Sequence, residues 1–117
     1  MKHYVIYQAD TNKSTGSKIL FRSLESIKKE GIALTFDAYK KVYEGDFEAN
    51  DENELPITEQ LYIMFNLSHP KDFYGHSLSV SDIIVIDGQQ YFCDSIGFKP
   101  ISINFTGSEV SSDNSSF

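Results

Sequence analysis

The chain has one cysteine, three prolines and no tryptophan in 117 residues. A lone cysteine cannot staple the fold with an intramolecular disulfide. Cys93 is therefore expected as an inert core thiol within a strand, and an unpaired cysteine fits a reducing compartment. No Lys, Arg or His adjoins it in sequence to lower its pKa. Long apolar runs are also missing: no stretch approaches the roughly 20 residues that span a bilayer. The opening segment MKHYVIYQAD is too short in apolar residues for a signal peptide. These absences point to a cytoplasmic protein with no membrane partner. A glycine-rich phosphate loop, a Cys/His set at metal-ligand spacing and a nucleophile-base-acid triad are absent too, so neither a cofactor nor a catalytic residue is expected.

Basic charge is absent from one long window. No Lys or Arg lies between Lys41 and Lys71, whereas Glu44, Asp46, Glu48, Asp51, Glu52, Glu54 and Glu59 place seven acids there. The net charge is −7, and the other ten acids and ten bases cancel, so the whole excess belongs to this window. A phosphate backbone would be repelled by it, which argues against direct binding of nucleic acid. A basic protein would be attracted.

What is present is a readable α+β pattern. The length suits one domain, able to bury roughly two-thirds of the surface its unfolded chain would expose. Residues 3–8 hold Tyr4, Val5, Ile6 and Tyr7 and predict a buried strand. Residues 9–17, ADTNKSTGS, predict a surface loop. Ser23 as N-cap, Leu24 and Ile27 on one face, Lys28 and Lys29 in the last turn and Gly31 beyond predict a two-turn helix. Residues 36–47 read ambiguously, with a helical turn at 36–39 and a strand at 41–47. Ile57, Leu61, Met64 and Phe65 lie on one helical face, with Thr58 as the expected N-cap. Residues 76–100 form the clearest unit: a serine-rich approach, the run Ile83–Ile86, an Asp87-Gly88 turn and a returning strand. A two-residue turn sets Ile83 opposite Phe92 and Ile84 opposite Tyr91. Both faces of the first strand are then apolar, which places it inside a sheet. Ile101, Ile103 and Phe105 alternate as an edge strand. The expected architecture is a small antiparallel or mixed sheet of four to five strands with two short helices packed on it, in a domain over 1–105 followed by a flexible, serine-rich acidic tail at 106–117.

His69, His76, Asp82 and Asp94 are the residues from which an acid/base or metal site could be assembled. The separation of the two histidines matches no ligand spacing on a helix or strand. In the hairpin register Asp94 faces Ser81, and a Ser-Asp hydrogen bond would account for it. Ser77, Ser79 and Ser81 line one face of the approach, but His76 points away from Ser77 on an extended chain and cannot serve it as a base.

Four segments carry a resemblance: YVIYQ (4–8), YKKVYEGDF (39–47), FNLSHPKDFYGHSLSVSDIIVI (65–86) and YFCDSIGFKP (91–100). A Phe-Asn step, a His-Pro-x-Asp-Phe loop, a Gly-His-Ser-Leu-Ser-Val-Ser-Asp segment and an Asp-Ser-x-Gly-Phe exit follow in an order that resembles the YodL-like domain family. The resemblance implies a bacterial protein carried by a plasmid, transposon or phage, of a kind found near antirestriction genes, and it transfers no catalytic residue. The expected function is a non-enzymatic protein-binding module that blocks a host defence nuclease of restriction or CRISPR type. Its partner would be a basic nucleic-acid-binding protein. The expected partner-facing residues are Glu44, Asp46, Glu48, Asp51, Glu52, Glu54, His69, Asp72, Phe73 and His76. Two rival readings stay open: a small metal-dependent hydrolase using the His69/His76 loop, and a structural accessory domain.

Overall fold

A computed structural model describes residues 1–49, 52 and 54–103. Asp51, Phe105 and the expected tail at 106–117 lie outside the described residues. Five strands form one antiparallel sheet: β1 (Lys2–Ala9), β2 (Tyr39–Phe47), β3 (Ile83–Ile86), β4 (Gln89–Cys93) and β5 (Phe98–Ile101), in the order β2-β1-β3-β4-β5. Three helices accompany it: α1 (Ser14–Ile19), α2 (Leu24–Lys29) and α3 (Ile57–Leu67).

Alternation along the central strands builds a core on each face. Tyr4, Ile6, Ile84 and Ile86 meet Leu61 and Phe65 of α3, and Phe73 and Leu78 complete that layer. On the other face Ala9, Ile83, Val85 and Phe92 meet Ile19 of α1, Ile27 of α2 and Phe36. The sheet is thus covered by helices on both sides. That is why all four residues of β3 are buried. The hairpin has the expected register, Ile83 opposite Phe92 and Ile84 opposite Tyr91. Asp87 (φ 49°) and Gly88 (φ 88°) make its turn, the pair of positive φ values that matches the twist of the flanking strands.

α2 begins and ends as its sequence predicts. The Ser23 side chain accepts from the Ser26 amide at 3.1 Å. At the other end Gly31 takes φ 70°, and the amides of Gly31 and Ile32 return to the carbonyls of Lys28 and Ile27, which caps the last turn.

Five expectations need correction. Residues 14–17, expected as part of a loop, belong to α1. Its polar, glycine-containing sequence has no helical period, but burial of Ile19 anchors it, and a side chain at Gly16 would strike the carbonyls of Asp10 and Ala38. The helices accordingly number three among the described residues. Thr58 is not the cap of α3: Pro56 stands there and its carbonyl accepts from Glu59 and Gln60, while Thr58 is buried. The 76–81 approach is not a strand but an irregular segment ending in a turn. Finally, the last strand is β5, starting at Phe98, because the bend at Gly97 (φ 70°) brings the chain straight back beside β4. For residues 36–47 the structure gives a single 3-10 turn at Phe36–Ala38 leading into β2.

Candidate functional site

The acidic window starts on β2, which among the described strands stands at one edge of the sheet and pairs with β1. In register, Glu44 and Asp46 stand opposite Val5 and His3, so both leave the sheet on the His3 face. There they grip the imidazole of His3, Glu44 on Nε2 at 2.6 Å and Asp46 on Nδ1 at 3.0 Å. Donating to Asp46 and Glu44 raises the His3 pKa. Lys41 and His3 together hold the Glu44 carboxyl below its usual range, with Lys41 at 2.8 Å. The seven acids are therefore not all uncompensated. Glu48, Glu52 and Glu54 continue the exposed acidic surface past the end of β2, and Asp51 lies outside the described residues. Across the strand, Asp72 accepts from the Tyr43 hydroxyl at 3.0 Å. Phe73 is buried in an aromatic cluster with Tyr43, Phe65 and the His69 ring.

His76 belongs to a different neighbourhood. Its backbone is paired in both directions by the side-chain amide of Gln8: Nε2 donates to the His76 carbonyl at 2.8 Å, and the His76 amide donates to Oε1 at 3.2 Å. Asn66 repeats the device at Leu78, whose amide reaches Oδ1 at 2.7 Å while Nδ2 reaches the carbonyl at 3.3 Å. Gln90 repeats it at Ile103 with 2.8 Å both ways. Each clamp satisfies a segment's backbone polar groups where no strand can. The clamp is close-packed at Gly75, where a side chain would strike Gln8 Oε1 and displace it from the His76 amide.

Asp82 lies beneath this loop, fully buried. Its Oδ2 accepts from the Ser79 amide at 2.9 Å and from Gln8 at 3.1 Å, but Oδ1 has no partner among the described residues. Burial pushes its carboxyl up to about 7, against the two hydrogen bonds. Burial likewise raises Tyr39, whose hydroxyl donates to the Ser81 carbonyl at 2.6 Å, and pushes the Cys93 thiol up to about 12, as an inert core cysteine requires. Asp94 does not bond Ser81 as its register position predicts. Its Oδ1 accepts from the amides of Leu24 and Ser95, and Lys99 reaches Oδ2. Burial works to raise its pKa, but these donors outweigh it and leave a net lowering.

Two strained residues adjoin the buried acid. Ser81 has φ 88° and Phe21 φ 66°, a region that costs a residue other than glycine on the order of 1–3 kcal/mol. They are bonded to each other, Phe21 N–H donating to Ser81 Oγ at 3.0 Å. The Phe21 ring stays 59% exposed and sits edge-on to the His76 ring, centroids 5.8 Å apart. Beside them a cleft of about 440 Å³ opens between β1, β2 and residues 74–76.

A family model described as the YodL-like domain matches residues 3–105. The chain belongs to the YodL-like domain family. Neither the curated proteins nor the solved structures contain a match.

In this YodL-like domain the residues of the signature hold structure together. Asn66 clamps Leu78, Asp72 receives Tyr43, Phe73 and Leu78 fill the core, Gly75 admits Gln8, and Asp94 ties the β4 exit to the start of α2. His69 and His76 have separate partners, Phe73 and Pro70 for the first and Gln8 and Phe21 for the second. Among the described residues no group of three His, Cys, Asp or Glu side chains could hold a metal, and no helix is long and apolar enough to cross a membrane. Gln8 is the central residue that sequence reading missed. The signal was there: Tyr4, Ile6 and Gln8 share one face of β1, so Gln8 is a polar residue at a core position.

Proposed function

We propose that this YodL-like domain is a non-enzymatic protein-binding module of a bacterial mobile element or phage, working in the cytoplasm. It docks its acidic β2 edge on a basic surface of a host protein, and the host protein is a defence nuclease of restriction or CRISPR type. The observation that carries this reading is the division of labour along the chain. Signature residues are committed to clamps, caps and core, whereas the long exposed edge strand and its continuation present Glu44, Asp46, Glu48, Glu52 and Glu54 to solvent. A surface of one sign is what steers a basic partner and competes with a phosphate backbone for its channel.

The test is affinity capture from a bacterial host lysate at low and high salt, with wild type and a variant carrying Glu44→Gln, Asp46→Asn, Glu48→Gln and Glu54→Gln. A DNA-binding protein retained by wild type at low salt, released at high salt, displaced by added DNA and ignored by the variant supports the reading. Capture that is indifferent to salt, DNA and the substitutions contradicts it. Absence of any captured protein favours an accessory domain that acts only beside other modules.

A further inference from the structure

We propose that the cleft between β1, β2 and residues 74–76 binds a small aromatic anion, a flat ring carrying one phosphate or carboxylate. At about 440 Å³ it lies within the size range of small-molecule sites, roughly 300–1,000 Å³. Its chemistry is opposite to that of the chain as a whole. Although the sequence has 17 acids, none lines this cleft, whereas Lys40, Lys41 and His76 do. Lys41 is engaged by Glu44 at 2.8 Å, but Lys40 enters no ion pair among the described residues. Lys40 pairs with Gln8 in register, so it leaves the sheet on the same face as the cleft floor. An ammonium so placed is the natural seat for the anionic group.

The floor is fixed before any ligand arrives. Both hydrogens of the Gln8 amide are used, one on the His76 carbonyl and one on Asp82, and Oε1 is held by the His76 amide. The His76 ring is oriented as well: Nδ1 lies 2.8 Å from the Ser77 carbonyl and donates to it. Nε2 then has no protein partner among the described residues and is the ring nitrogen left for a ligand. Thr11 adds a hydroxyl, and Leu20 and Val42 add apolar wall. The ring of the ligand has an aromatic neighbour in Tyr74, which lines the cleft yet is 90% exposed. Phe21 follows Leu20 of the wall, and its strained backbone keeps a second exposed ring against His76. Such strain persists where the surroundings enforce it, and it gathers at binding sites. A larger cleft of about 640 Å³ between α2 and residues 94–99 is less apt for an anion, because the acids Glu25 and Asp94 line it and Asp94 already occupies two of its donors, the Leu24 amide and Lys99.

The site is independent of the acidic edge and is tested separately, by amide NMR titration of the full chain. The probes are adenosine 5′-monophosphate, benzoate, adenosine and inorganic phosphate. Saturable shifts at Gln8, Thr11, Lys40 and His76 with the nucleotide or with benzoate support the proposal, and which of the two binds more tightly assigns the head group as phosphate or carboxylate. Adenosine and inorganic phosphate should bind at least tenfold more weakly than the nucleotide, if that is the class preferred. Lys40→Gln, at an exposed position, should keep a folded spectrum and lose affinity at least tenfold, and Tyr74→Ala should weaken binding without moving Lys40. No saturable shift with either aromatic anion, shifts centred elsewhere, or unchanged affinity in Lys40→Gln would overturn it.

Discussion

A carboxylate sealed in a core with one oxygen unpartnered makes folding sensitive to pH, and Asp82 is in that position. Its pKa is raised from 3.8 to about 7, so the folded state binds a proton more tightly than the unfolded chain. The stabilisation from that proton is fully present below pH ~4 and is lost as pH rises through about 7. Over that window the loss is on the order of 2–4 kcal/mol. Asn can still accept from Ser79 and Gln8 while carrying no charge, so Asp82→Asn should raise stability at pH 8 and flatten its dependence between pH 5 and 8. Urea unfolding of both proteins across that range checks this, and a variant less stable than wild type at pH 8 would refute it. Gln8 poses the complementary test. Gln8→Leu keeps much of the volume but strands the His76 amide and carbonyl and removes a donor from Asp82. A loss of about 2–4 kcal/mol is expected in the same assay.

The elements differ in how much of their basis lies in local sequence. The hairpin and α2 are legible because turn, cap and periodicity are all encoded within a few residues. Asp87-Gly88 sets the register, and Ser23 and Gly31 bound the helix. α1 is not legible, since Ser14, Thr15, Gly16 and Ser17 have loop propensities and the helix depends on Ile19 reaching a core built from distant strands. The 76–81 segment is another failure: its serines suggested an extended hydroxyl row, whereas the fold uses side-chain amides from β1 and α3 to hold it irregular. Nothing local announces those partners, 68 residues away in the case of Gln8 and His76. Two substitutions probe this level. Ser23→Ala should cost about 1 kcal/mol through loss of the α2 cap. Phe92→Ala, at a fully buried hairpin position, should cost about 3–5 kcal/mol, with chemical denaturation reading both; a loss below ~1 kcal/mol at Phe92 would be inconsistent with the two-sided core.

At the scale of the whole molecule, the sheet has two unlike edges. β5 is short and carries Lys99 and Pro100, features that discourage further pairing. β2 is nine residues long, bulged near its middle, and charged. The acidic excess was legible from the spacing of Lys41 and Lys71, but its partial neutralisation by His3 and Lys41 was not, because His3 meets Glu44 and Asp46 only through strand pairing. The exposed acidic surface beyond this ion-pair cluster is carried by Glu48, Glu52 and Glu54. Replacing Glu48, Asp51, Glu52 and Glu54 together by Gln or Asn should leave the unfolding midpoint nearly unchanged while slowing association with a basic partner. The difference should shrink as salt rises past ~0.15 M, where screening acts over about 8 Å. The most direct measurement is inhibition of plasmid cleavage by a purified host restriction nuclease, titrated with wild type and with this fourfold variant at low salt. The account predicts that wild type suppresses cleavage near stoichiometric amounts, that added salt relieves the block, and that the variant inhibits at least tenfold more weakly. Cleavage untouched by wild type, or equal inhibition by both proteins, would contradict it.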